Sequence, residues 1–195
     1  MWWARLLNVI SGLLSGGAAP AAATSYESIA TVTVGAGGQA SISFTSIPST
    51  YKHLQIRGNT RATGDTGGGY DQIALNVNSD TSANYSVHQL FGDGASASAY
   101  GTSGQTRTLF ECGTGSGSLA NTFGALVIDI LDYASTNKYK TFRILAGQDQ
   151  NGSGRLALSS GLYSANTNAI TSVQITPRNG NFAQYSQIAL YGIKG

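Results

Sequence analysis

The chain has 195 residues, of which only 10% are charged, against roughly 25% in an ordinary soluble domain. Eleven basic and nine acidic residues leave a net charge of +2, too small a field to grip a phosphate backbone, so nucleic-acid binding is excluded as a function class. One cysteine, Cys112, rules out a disulfide within the chain and a thiolate metal cage.

Residues 1–16, MWWARLLNVISGLLSG, place Trp3, Leu6, Leu7, Ile10, Leu13 and Leu14 at helical spacing, with Arg5, Asn8, Ser11 and Ser15 elsewhere around the turn. The spacing predicts a short amphipathic helix. A secretory signal is the competing reading, because Arg5 precedes the apolar stretch and AAPAAA ends in small residues. Interruption by Asn8, Ser11, Gly12 and Ser15 favours a docking arm in which Trp2, Trp3, Leu6, Leu7, Ile10, Leu13 and Leu14 meet a groove on a partner, or on the chain's own domain. The segment is too short and too interrupted to span a bilayer. Residues 17–25, GAAPAAATS, form a small-residue linker.

From residue 26 to 195 the chain reads as about eleven strands with Gly, Ser, Asn and Asp turns and no second helix. SIATVTVG and QASISFTSI are expected to pair as a hairpin across Gly35–Gly38, with Ile29, Val34, Ile42 and Phe44 in the core. Tyr51–Thr60 alternates Leu54 and Ile56 inward against His53, Gln55 and Arg57. Tyr70–Asn78 and Asn84–Phe91 read as adjacent antiparallel strands. Gly92–Gln105, with Tyr100 as its one large residue, reads as a long exposed or partner-covered loop, and Thr106–Cys112 as a strand.

Phe123–Tyr133, FGALVIDILDY, anchors the pattern. Its middle is apolar on both faces, which predicts a central strand covered by a second sheet on one side and a neighbouring subunit on the other. Lys138–Ala146 and Arg155–Tyr163 flank NGSG as a tight connection. Ala169–Thr176 and Phe182–Ile193 flank Asn179-Gly180, a dipeptide suited to a turn with positive φ. The fold class that follows is all-β: an antiparallel β-sandwich, jelly-roll-like, with an N-terminal helical arm.

A search for chemistry finds little. His53 and His88 sit at mid-strand and read as structural, without the spacing of a zinc site. GTGSGS and NGSG read as turns, since neither forms GxSxG. Asp65 and Asp71 in GDTGGGYD offer oxygens around flexible glycines but lack the acidic density of a calcium loop. Asp129 and Asp132, three apart on a strand, point to opposite faces and do not make a glycosidase pair. Asp129 is expected to hydrogen-bond or pair with Arg57, Arg107 or Arg143. The ten Tyr and six Phe read first as cross-strand packing and second as sugar-stacking platforms. No catalytic, cofactor-binding or metal residue is assigned.

The runs SIPSTYKHLQIRGNTR, LNVNSDTSANYSVHQLFGDG and ITSVQITPRNGNFAQYSQIALYGIKG resemble a group of tailed-bacteriophage virion proteins that end in a closing LYGIK strand, over most of residues 26–195. The resemblance implies an all-β, oligomeric particle component of fibre or capsid-decoration type, often a homotrimer, and brings no catalytic residues. The expected function is therefore a non-enzymatic virion protein attached to capsid, neck or tail through residues 1–16. A receptor-binding adhesin for host cell-surface glycan is the alternative, and a secreted β-sandwich glycan hydrolase a distant third.

Overall fold

The computed structural model describes residues 25–195. The docking-arm residues Trp2, Trp3, Leu6, Leu7, Ile10, Leu13 and Leu14 lie outside them. Among the described residues there are twelve strands and no helix: β1 (Tyr26–Thr33), β2 (Ile42–Phe44), β3 (His53–Thr60), β4 (Tyr70–Val77), β5 (Tyr85–Gly92), β6 (Ala97–Gln105), β7 (Thr108–Thr114), β8 (Gly124–Leu131), β9 (Lys140–Asp149), β10 (Gly154–Tyr163), β11 (Val173–Pro177) and β12 (Gln187–Ile193). They form two antiparallel sheets, one in the order β1-β12-β3-β8-β9-β10-β5-β6 and one in the order β2-β11-β4-β7.

Four long-range pairs are nested inside one another: β1 with β12, β2 with β11, β3 with β8, and β4 with β7. The chain thus runs as a long hairpin whose two arms step together from one sheet to the other. Two local hairpins, β5–β6 and β9–β10, add four strands to the larger sheet.

This nesting overturns two expected neighbours. β1 and β2 do not pair, because the segment between them crosses between sheets and bonds to the chain's end: Val34 N donates to Ser186 O and Gln39 N to Phe182 O. Gly38, with φ of 76°, sits where a Cβ would lie 2.7 Å from Phe182 O, which only glycine tolerates. Nor are β4 and β5 partners, since they belong to different sheets. The turn between them is held by the Tyr85 hydroxyl, which donates to Asp80 O at 3.0 Å and accepts from Val77 N at 3.1 Å.

A third expectation also fails: Ala97–Gln105 is an edge strand rather than a loop, bonded to β5. Its Ala, Ser, Gly and Thr residues are exposed along most of its length, so it leaves no alternating signature in the sequence.

The inner faces of the two sheets share one apolar core. Leu54 and Ile56 of β3, Ile128 and Ile130 of β8, and Phe142 and Ile144 of β9 are fully buried, as are Ile73, Leu75, Phe110 and Ile175 of the smaller sheet. Val34, Ile42 and Phe44 join them, while Ile29 packs at the margin half-buried. The sheets come close at Gly161, where a Cβ would stand 2.9 Å from Thr108 Cγ2 and 3.0 Å from Phe142 Cδ2.

Lys140 is also fully buried. Its ammonium donates to Ser135 O, Lys138 O and Thr167 O at 2.7, 2.7 and 2.9 Å, using all three of its donors. Burial lowers its pKa from the ordinary lysine range.

Candidate interaction surface

β8 lies between β3 and β9 in the middle of the larger sheet, and its alternation separates two environments. Leu126, Ile128 and Ile130 point into the core, whereas Ala125, Val127, Asp129 and Leu131 point outward. The outer face has no second layer within the described residues. Among the described residues, therefore, only one side of this doubly apolar strand is covered.

The neighbouring strands extend the same surface. Leu145 on β9, Leu156 and Leu158 on β10, and Leu90 on β5 stand on this face at 50, 62, 51 and 57% exposure, and Leu131 at 41%. Scattered exposed leucines are ordinary, but a contiguous group is not. Register makes it contiguous. Val127 faces Leu145, Leu145 faces Leu158, Leu158 faces Leu90, and Leu90 faces Ala99.

A polar row borders this apolar one. Gln55, Asp129, Arg143, Ser160 and His88 are successive partners from β3 to β5. The Arg143 guanidinium donates to Asp129 Oδ2 from Nη2 at 2.6 Å and Nε at 3.0 Å, and Gln55 Nε2 donates to Oδ1 at 2.7 Å. The expected arginine partner is thus Arg143. Arg57 enters one step removed, donating to Gln55 Oε1 at 2.6 Å while lying over the Tyr26 ring.

Other sequence candidates take structural positions. His53 Nδ1 accepts from Asp132 N at 2.9 Å. Asp132 is paired with Lys138 and, at 3.1 Å, with Lys52; these two ammoniums hold its carboxyl down at about 2. Asp71 is buried and accepts from Thr66 Oγ1 and Asn179 Nδ2, both at 2.7 Å, and from Asn179 N at 3.0 Å. Asp65 accepts from Gly67 N and Gly117 N. The GDTGGGYD carboxylates therefore tie their loop to Gly117 and Asn179, and among the described residues no group of three His, Cys, Asp or Glu side chains could hold a metal ion. No described helix is long and apolar enough to cross a membrane.

The aromatic residues divide between packing and a cleft. Tyr26 stacks on Tyr191 with centroids 4.9 Å apart, and Tyr85 lies 5.0 Å from Tyr163. Phe91 and Tyr100 instead line a cleft of about 410 Å³ where β5 and β6 overhang β7, with Gln72, Gln89, Glu111 and Arg178 around it. Glu111 accepts from Gln72 and, at 2.6 Å, from Arg155 Nη1, whose guanidinium lies 3.7 Å from the Tyr70 ring centroid.

No family model, curated protein or solved structure matches the chain. The functional reading rests on surfaces and connectivity.

Sequence reading missed the outer leucines and the cleft. Each leucine belongs to an ordinary strand pattern, and only the register across four strands joins them. One signal was available: Ile144-Leu145 and Leu156-Ala157-Leu158 carry apolar residues at adjacent positions, as Phe123–Tyr133 does.

Proposed function

We propose that the chain is a non-enzymatic structural component of a tailed-phage particle, a decoration or fibre protein of the virion that attaches to capsid, neck or tail through residues 1–16. The observation that carries this reading is the nested pairing of β1 with β12, β2 with β11, β3 with β8 and β4 with β7. Without the two local hairpins, the sheets reduce to β1-β12-β3-β8 and β2-β11-β4-β7. In this reading that order is a rolled-up hairpin of the kind found in the eight-stranded jelly rolls of viral capsid and lectin domains. It supports the resemblance carried by the closing LYGIK strand. An amphipathic helix over residues 1–16 supplies the attachment in this reading.

The titratable groups support a structural role. Asp65, Asp71, Glu111, Asp129 and Asp132 each accept hydrogen bonds or ion pairs that fix a turn or a strand. Function then resides in what the domain covers and what covers it.

The cleft beside Phe91 and Tyr100 favours one second reading, an adhesin for host glycan. Flat aromatic faces next to amide, carboxylate and guanidinium groups suit a hydroxyl-rich ligand. One experiment separates the two. Particles assembled without this chain are mixed with the purified full-length protein, and its retention, particle stability and adsorption to host cells are measured. Retention with restored stability supports the structural reading. Restored adsorption at unchanged stability supports the adhesin, and no retention at all contradicts both.

A further inference from the structure

The outer face of the larger sheet is ridged. Val127, Leu145, Leu158 and Leu90 are successive cross-strand partners, and with strands about 4.8 Å apart they form a continuous apolar ridge roughly 15 Å long. A trough runs along each side. On one side Ala125, Gly147 and Gly92 floor a trough of about 620 Å³, interrupted by Leu156 between the two glycines. On the other, Ser160 and Gly101 lie low in a trough of about 860 Å³ whose far wall is Leu131 and Thr141.

We propose that a second copy of this chain covers this face, the leucine ridge of each copy lying in a trough of the other. One surface supplies both the projecting and the receiving element, as a two-fold pair of identical chains requires. Charge argues the same way. The ridge residues are uncharged, and Arg143 beside them is already paired with Asp129, so the face asks for neither an acidic nor a basic partner. Apolar core and polar rim, with Arg57 closing the row at Val127, follow the anatomy of protein interfaces.

Size is adequate. Five strands from β8 to β6, each contributing about 20 Å of length at a spacing of about 4.8 Å, project to roughly 480 Å² per copy. Two such faces bury about 960 Å², the range of a weak, reversible interface rather than an obligate one. The inference goes beyond the particle reading and stands apart from it, because self-association is a property of the purified chain alone.

Sedimentation equilibrium of the full-length protein provides the test, alongside Leu158→Lys on the ridge, Ser160→Trp filling a trough, and Leu119→Lys, an exposed leucine of the β7–β8 loop, as control. The wild type and Leu119→Lys are expected to self-associate equally. Leu158→Lys and Ser160→Trp should each weaken association by about 100-fold, with the β-sheet circular dichroism spectrum retained. Both substitutions are at exposed positions, and Ser160→Trp decides the matter if the lysine variant fails to fold. A monomeric wild type, or a multimer that both variants leave intact, overturns the proposal. A monomer whose leucines resist hydroxyl-radical labelling also overturns it, in favour of the chain's own N-terminal residues as the cover.

Discussion

Asp129 and Arg143 face one another across β8 and β9, with both guanidinium hydrogen bonds converging on a single carboxylate oxygen. The pair is lopsided in its exposure: the Arg143 side chain is largely in water and the Asp129 side chain largely out of it. Removing each partner therefore has a different consequence. In the monomer, Asp129→Asn keeps the Gln55 contact and frees a guanidinium that water solvates, at a cost of about 0.5–1 kcal/mol. Arg143→Leu leaves a buried carboxylate short of its partner and costs about 1–3 kcal/mol. Urea denaturation of the two variants is expected to rank them in that order, and an equal loss would show that the carboxylate is not desolvated.

Lys140 makes a stronger demand, because its ammonium is the meeting point of the 135–138 turn and the segment at Thr167. Lys140→Met fills similar volume but leaves the partly buried carbonyl oxygens of Ser135, Lys138 and Thr167 without the ammonium that joins them. The expected loss is about 3 kcal/mol, read from the urea midpoint at constant slope.

The acid side of the stability profile should depend on Asp132. Lys138 and then Lys52 hold its carboxyl at about 2, below the ordinary aspartate value near 3.9. A depressed folded-state pKa stabilises the protein above pH 4, and that contribution is lost as pH falls through about 2. Carboxyl NMR titration of Lys138→Ala is expected to move the Asp132 midpoint upward. An unmoved midpoint would assign the depression to Lys52 alone.

Gly161 tests how closely the sheets approach. Its missing Cβ faces Thr108 and Phe142 across and within the core, so Gly161→Ala has to push β10 and β7 apart. Overpacking of this kind costs about 1–3 kcal/mol, and a melting temperature equal to the wild type would mean that the layers have slack.

The parts of this fold that sequence reading captures are local. FGALVIDILDY reads as a central strand because its apolar run is long, and NGSG reads as the β9–β10 connection because Asn151 and Gly152 take the positive φ that such a turn requires. Gly180 does the same after Asn179. What is not local is not legible. Val34 and Gln39 find their partners near residue 185, a choice made by the roll of the whole chain, and β6 buries too little to leave a pattern. The surface was half visible: that Asp129 needs a partner follows from the cost of burying a charge, with Arg57, Arg107 and Arg143 all open in the sequence, whereas the ridge depends on Leu145, Leu158 and Leu90 falling into one register.

The proposed place of the chain as a built-in part of a virion is tested most directly by quantitative mass spectrometry of density-purified infectious particles. That place predicts peptides of this chain at a fixed copy number relative to the capsid protein, unchanged after a high-salt wash. Their absence from purified particles, or a copy number that falls with each wash, would contradict it.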